Sequence, residues 1–233
     1  TAMADHHTIY QQEAQRYDAL VRREDMDRNL LAAIEKIIPL KGIDVVESGA
    51  GTGRLTLLLA PLVHSIKAFD LSPHMLALTT QKLEALGLDH WETGVADHRD
   101  LPMKKKSADL VISGWSVCYL NDKEREDWQK PFLKALKEFK RILRPGGKII
   151  LIETEGTGVK EPHPPKSMVN YLSLLKEKGF QSDWIRTDYL FTSWQEVMEL
   201  VPFFFGEEMV DACFDSIDGI ELPECTGVWS WSG

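Results

Sequence analysis

Three glycines fall within five positions, at 49, 51 and 53, directly after the apolar run that ends in Val45-Val-Glu-Ser48. A strand that stops at a bare turn and restarts as a helix brings free backbone N–H groups and missing side chains together, a position that suits a ligand. One glycine satisfies a tight turn between strand and helix; three at alternate positions ask for something to approach the backbone itself. The dinucleotide fingerprint GxGxxG is not met, because the third glycine comes one residue early and Arg54 stands in its place. A P-loop is not met either, since no Gly-Lys-Ser/Thr follows. Glu47 adds a physical objection to phosphate: a carboxylate at the strand mouth repels a diphosphate by about 1–4 kcal/mol for a close charge pair in a partly wet site. The same carboxylate favours a cation. The turn therefore asks for a positively charged, nucleoside-like ligand. About twenty residues on, Ala68-Phe-Asp70 ends in an acid placed to accept hydrogen bonds from both ribose hydroxyls.

Around this turn, short β-rich runs alternate with longer helical patterns. Strands are expected over residues 43–47, 66–70, 91–95, 109–113 and 148–153, with helices near 53–62, 73–86 and 123–142. Such alternation predicts an α/β fold with a parallel sheet and helices on both faces. Ser72 is placed to cap the helix that Pro73 opens, and Arg144-Pro-Gly-Gly147 ends the helix before the fifth strand. Residues 7–38 read as two helices joined near Glu24-Asp25. Beyond residue 155, Glu161-Pro-His-Pro-Pro165 reads as an irregular connection, because consecutive prolines cannot lie inside a helix. A helix near 167–178, a strand near 181–190, a helix near 194–204 and a last strand near 225–231 follow.

The 233 residues suffice for one α/β domain with a substantial core. The expected organisation is a single domain over 1–233, with an N-terminal helical segment to residue 40, a ligand-binding core over 41–155 and further helices and strands over 156–233. No apolar run reaches the roughly 18 residues that span a bilayer, and no secretion signal is read at the start. Cys118, Cys213 and Cys225 lie far apart with no CxxC pair, which argues against a disulfide framework or a metal site and fits a reducing cytoplasm. The formal net charge of −9 makes nucleic acid a poor partner, and Lys104-Lys-Lys106 reads as a solvated turn.

Taken together, Glu47-Ser-Gly-Ala-Gly-Thr-Gly53, Phe69-Asp-Leu-Ser-Pro73, Ala96-Asp-His-Arg-Asp-Leu-Pro102, Asp109-Leu-Val-Ile-Ser113 and Leu143-Arg-Pro-Gly-Gly147 resemble the class I S-adenosylmethionine-dependent methyltransferases. The resemblance covers residues 41–155 in the right order and reaches more loosely to Pro223-Glu-Cys-Thr-Gly-Val-Trp229. It implies a doubly wound, mainly parallel, seven-stranded Rossmann-like sheet with an antiparallel last strand. It implies S-adenosylmethionine as cofactor and S-adenosylhomocysteine as product; the sulfonium and ammonium supply the cation that Glu47 asks for. Glu47, Gly49, Ala50, Gly51 and Gly53 would frame the methionine end, and Asp70 would hold the ribose. Leu71 and Met75 would pack on the adenine, Asp97 would accept from its amino group, and His98 would donate its backbone N–H to the ring. Ser113 and Gly114 would meet the methionyl amine, Trp115 would wall the pocket, and Tyr17 would close it from the N-terminal helix.

Methyl transfer from a sulfonium is an in-line displacement with a good leaving group, so alignment and exclusion of water supply much of the acceleration. A base is needed only where the acceptor must lose a proton. Ser113-Gly-Trp-Ser116 lacks the Asn/Asp-Pro-Pro-Tyr/Phe motif of the family's adenine and glutamine-amide enzymes. Cys118 follows valine where the cytosine enzymes have proline, and reads as a small packed residue. A small-molecule acceptor is expected, with a peptide amine or a non-catalytic cofactor binder as alternatives and no membrane partner. The acceptor pocket is expected from residues 7–24 and 156–205, with Tyr10, Tyr119, His163 and Tyr171 as candidate base or orienting groups. Phe203-Phe-Phe205 could line it or simply pack in the core.

Overall fold

The structure, a computed structural model, describes residues 13–121 and 126–233. Among the described residues two short helices, α1 (Ala14–Val21) and α2 (Asn29–Ile37), precede the first strand. Then follow β1 (Asp44–Ser48), α3 (Arg54–Leu59), β2 (Ser65–Asp70), α4 (Pro73–Ala85), β3 (Trp91–Val95), β4 (Ala108–Gly114), α5 (Gln129–Ile142) and β5 (Leu143–Thr157). The remainder is α6 (Lys166–Glu177), β6 (Gln181–Arg186), β7 (Tyr189–Phe191), α7 (Trp194–Phe205), β8 (Phe214–Asp215), β9 (Ile220–Leu222) and β10 (Glu224–Ser232). Seven strands make one sheet in the order β3-β2-β1-β4-β5-β10-β6. Pairs from β3 through β5 are parallel, and β10 runs antiparallel to both β5 and β6. The expected doubly wound, mainly parallel sheet with an antiparallel last strand is what forms.

Alternation along each central strand sorts the core into two layers, since successive side chains point to opposite faces. Val46, Val111, Ile149 and Leu151 pack with α5 and α6 through Phe132, Phe139 and Leu175. Val45, Leu110, Ile112, Ile150 and Ile152 pack with α2, α3 and α4 through Ile34, Leu59 and Leu83. Strands buried on both faces read as the unbroken apolar runs seen in the sequence. Ser72 caps α4 as expected, its Oγ accepting from Met75 N–H at 3.3 Å. Lys104, Lys105 and Lys106 are exposed, and residues 161–165 are irregular.

Two features depart from expectation. Residues 181–190 do not form one strand. The Arg186 guanidinium grips Asp188, Thr187 N–H donates to Glu224 O, and Glu224 N–H donates to Asp188 Oδ1, so the chain turns between β6 and β7. After the turn, β7 joins β9 and β8 in a small antiparallel sheet with its own core of Leu20, Phe191, Val197 and Leu222. β5 is also longer than the apolar run that marks it, because antiparallel pairing with β10 carries it on to Thr157, opposite Glu224. That extension brings Glu153, Thr154 and Thr157 to the end of the sheet where the glycine turn lies. No helix among the described residues is long and apolar enough to cross a membrane.

Candidate active site

The three glycines are bare for three different reasons. A Cβ on Gly49, which has φ +81°, would lie 2.0 Å from Ser116 Oγ and 2.9 Å from His98 Cε1. A Cβ on Gly53 would lie 2.9 Å from the Thr79 methyl, so this glycine lets α3 and α4 close on each other. Gly51, with φ +55°, faces nothing within 4 Å. Only there does the missing side chain leave room for a ligand. The expectation of free amides is corrected: Gly49 and Ala50 N–H both donate to Phe69 O, at 2.7 and 2.9 Å, and Gly51 N–H donates to Asp70 Oδ2 at 2.8 Å. The turn offers space rather than a nest of donors, and an anion has little to hold there.

The space is a cavity of about 420 Å³ at the C-terminal ends of β1, β2 and β4. Of the sequence-predicted cofactor residues, Tyr17, Glu47, Gly49, Ala50, Gly51, Asp70, Leu71, Met75, His98, Gly114 and Trp115 line it, while Gly53, Asp97 and Ser113 do not. Glu47 is 1% exposed and takes a 2.5 Å hydrogen bond from Thr56 Oγ1 at Oε2. Burial pushes its carboxyl up to about 8, with Asp70 adding to the shift. Asp70 also accepts from Ser72 N–H at 2.8 Å, so both of its oxygens are fixed by backbone. Burial raises its pKa against the pull of those amides. Leu71 stands 61% exposed, an apolar side chain left largely uncovered by the protein.

Asp97 is not part of the lining. Arg99 Nε and Nη2 hold its two oxygens at 2.7 and 2.6 Å, and these bonds draw the carboxyl down to about 2. The His98 ring bridges Ser48 Oγ at 2.6 Å and Ser116 Oγ at 3.0 Å, tying the end of β1 to the segment after β4. Burial lowers its pKa to about 4, so the ring is neutral at pH 7. Ser113 Oγ is buried without a hydrogen-bond partner.

A second cavity of about 710 Å³ adjoins the first, sharing Tyr17, Arg54, Trp115 and Tyr119 as wall. Tyr119, His163 and Tyr171 line it. Tyr10 lies outside the described residues. Tyr171 is 1% exposed and donates its hydroxyl to Glu153 Oε1 at 2.8 Å. Burial pushes the phenol well above its usual value, so the acceptor of a proton in this pair is Glu153. Glu153 is itself fully buried and raised to about 8 by that burial. Burial also lifts the Cys118 thiol well above the normal range, the opposite of an activated nucleophile. Phe204 and Phe205 line the cavity, whereas Phe203 lies under the Arg16 guanidinium, 4.2 Å from its ring centroid.

Among the charged residues of this second cavity that escaped the sequence reading are Glu24, Arg54, Glu153 and Glu224. Arg54 stands in the shared wall, 2.5 Å from Glu24 Oε2 and 3.9 Å over the Trp115 ring. Glu224, 3% exposed, accepts from Thr154 Oγ1 at 2.8 Å, and burial holds its pKa well above the carboxylate range. Glu153 carried a signal, an acid closing the apolar run Lys148-Ile-Ile-Leu-Ile152 just as Glu47 and Asp70 close theirs. Glu24 and Glu224 carried none, because only the crossing of distant segments brings them here. Among the described residues no cluster of His, Cys, Asp and Glu is arranged to hold a metal ion.

The lining fits S-adenosylmethionine. A buried carboxyl suits its cationic end, a backbone-fixed acid suits its ribose, Leu71 and Met75 offer apolar surface for a base, and the opening at Gly51 lets the ligand approach the backbone. Comparison with known proteins agrees. A family described as "Methyltransferase domain" matches residues 46–151. The protein YafE of Escherichia coli (strain K12) is 31% identical over 183 residues, covering 71% of this chain and 82% of its own. A demethylmenaquinone methyltransferase of Bacillus cytotoxicus is 28% identical over 154 residues, covering 64% of this chain and 61% of its own, so the chain spans about three-fifths of that relative. A solved SAM-dependent methyltransferase of Aquifex aeolicus shares the fold with a TM-score of 0.59 at 15% identity, covering 94% of this chain and 96% of its own. The chain belongs to the class I S-adenosylmethionine-dependent methyltransferases, enzymes whose cofactor is S-adenosylmethionine.

Proposed function

We propose that the protein methylates a small molecule held in the larger cavity, using S-adenosylmethionine held in the smaller one. The observation that carries this reading is the pair of adjoining cavities with one shared wall, the smaller built around a buried carboxyl. Bound S-adenosylmethionine supplies an electrophilic methyl group on a sulfonium.

The chain's own part is to bind, align and keep water out. Glu47 faces the cationic end, and a cation beside it offsets the cost of ionising a buried carboxyl. Asp70 keeps acceptor capacity for ribose hydroxyls, because the backbone amides of Gly51, Leu71 and Ser72 do not fill the roughly four lone-pair sites of a carboxylate. Leu71 and Met75 pack on the adenine. Asp97 lies outside the lining, with Arg99 across its two oxygens, and the backbone at Ala96 and His98 serves that edge of the cavity. Tyr17, Trp115 and Tyr119 stand where acceptor and cofactor would meet. The small-molecule acceptor is supported by the size and apolar aromatic lining of the second cavity and by relatives named demethylmenaquinone methyltransferases. A cytoplasmic location fits three cysteines that form no disulfide.

Thermal shift tests the cofactor half. S-adenosylhomocysteine at a hundred times its dissociation constant should stabilise the protein by about 2.7 kcal/mol, and NAD should give no shift. Stabilisation by NAD alone would reverse the assignment. A screen of small molecules with methyl-labelled cofactor, read by mass, tests the acceptor half; label appearing only on protein would favour a peptide amine.

A further inference from the structure

We propose that the larger cavity takes its ligand as an organic cation, an arylalkyl amine, anchored by the carboxyl groups of Glu153 and Glu224. Calling that ligand the methyl acceptor rests on the proposed function; the anchoring itself does not. Both carboxyls line the cavity and are almost wholly removed from water, at 0% and 3% exposure. Each spends Oε1 on a protein hydroxyl, Tyr171 for Glu153 and Thr154 for Glu224. Each leaves Oε2 without a donor in hydrogen-bonding geometry, although the Cys118 thiol and the Thr157 hydroxyl stand close by. A buried polar atom left unpaired is costly, and one such atom on each of two acids in one cavity marks a place where a ligand supplies the donors.

Charge selects the kind of donor. Arg54 is the only Lys or Arg among the described lining residues, and its Nη1 is already committed to Glu24. An anion entering the cavity would meet an excess of acids. A neutral quinol fits the apolar walls but gives neither buried acid a counter-charge that favours its ionised form. An ammonium group offers up to three donors and the opposite charge. The walls describe the rest of the molecule: Phe204, Phe205, Met168 and Trp115 line the same cavity with apolar and aromatic surface, which suits an aryl group and a cation–π contact.

The test is calorimetric titration of the whole protein at pH 7, alone and saturated with S-adenosylhomocysteine. Four probes differ in charge and polarity: phenethylamine, 2-phenylethanol, 3-phenylpropionate and menadiol. Phenethylamine should bind at least tenfold more tightly than the other three. It should also release protons, seen as a binding heat that changes between buffers of different ionisation enthalpy. Glu153→Gln and Glu224→Gln should each weaken phenethylamine about tenfold while S-adenosylhomocysteine still binds, which shows that the variants are folded. The proposal is overturned if 2-phenylethanol or menadiol binds as tightly as the amine, if no amine binding is seen at millimolar concentration, or if both variants keep full amine affinity. Loss of S-adenosylhomocysteine binding in the unaltered protein would instead overturn the cofactor reading, and the titration without it would still decide the anchor.

Discussion

Gly49 and Gly51 belong to one motif, have the same sign of φ and differ in what surrounds them. Alanine at either position carries the left-handed penalty of about 1–2 kcal/mol. At Gly49 the methyl also collides with Ser116 and the His98 ring, and overpacking of this kind typically adds about 1–3 kcal/mol. Urea unfolding should therefore show Gly49→Ala as the less stable variant by that margin. Calorimetry with S-adenosylhomocysteine should show Gly51→Ala as the variant that loses affinity without the extra instability. Asp70→Ala should weaken the same ligand tenfold to a thousandfold, from one or two charge-assisted hydrogen bonds of about 1.5–3 kcal/mol each; unchanged affinity would remove Asp70 from the ribose site. Single residues were legible in the sequence where a local rule spoke. An acid ending an apolar strand, a serine before a proline and a glycine after a strand are such rules. The pairing of Asp97 with Arg99, two residues away, is one that a motif does not reveal.

At the scale of elements, β1 to β4 form within one residue of their expected ends, because strand burial and the flanking turns are written locally. The divide between β6 and β7 is not, since it depends on Thr187 and Asp188 meeting the backbone of Glu224 from the far end of the chain. Glu24 and Glu224 were hidden for the same reason: only topology brings the turn after α1 and the start of β10 to Glu153 in β5. One of those joints is testable. Asp25, at φ +60°, folds its carboxylate under the start of α2, accepting from Asn29 N–H at 2.8 Å and Leu30 N–H at 3.0 Å. Its own N–H donates to Asp188 O, beside the small sheet. Asp25→Ala should cost about 1–2 kcal/mol in chemical denaturation, as lost helix caps do, and hydrogen exchange should quicken first in α2.

For the whole molecule, buried acids set a pH dependence. Glu47 and Glu153 hold their protons up to about 8 in the folded chain, against 4.5 when unfolded. The folded state thus binds more protons across that window, and stability falls as pH rises through it, by about 1.4 kcal/mol per unit for each group. His98 acts oppositely: its folded value of about 4 lies below the unfolded 6.5, so its contribution is complete above 6.5 and is lost toward 4. Above pH 6.5 the acids act without that opposition. The melting temperature of the ligand-free protein should therefore decline between pH 6.5 and 8, and Glu47→Gln should flatten the decline; a level profile would show that these carboxyls ionise freely. The partition between the cavities has a further consequence. One guanidinium, leaning on one indole, serves as a party wall, so whatever settles on either side presses on the same two side chains. By reciprocity, the factor by which the first tenant alters the welcome of the second must equal the factor by which the second alters that of the first.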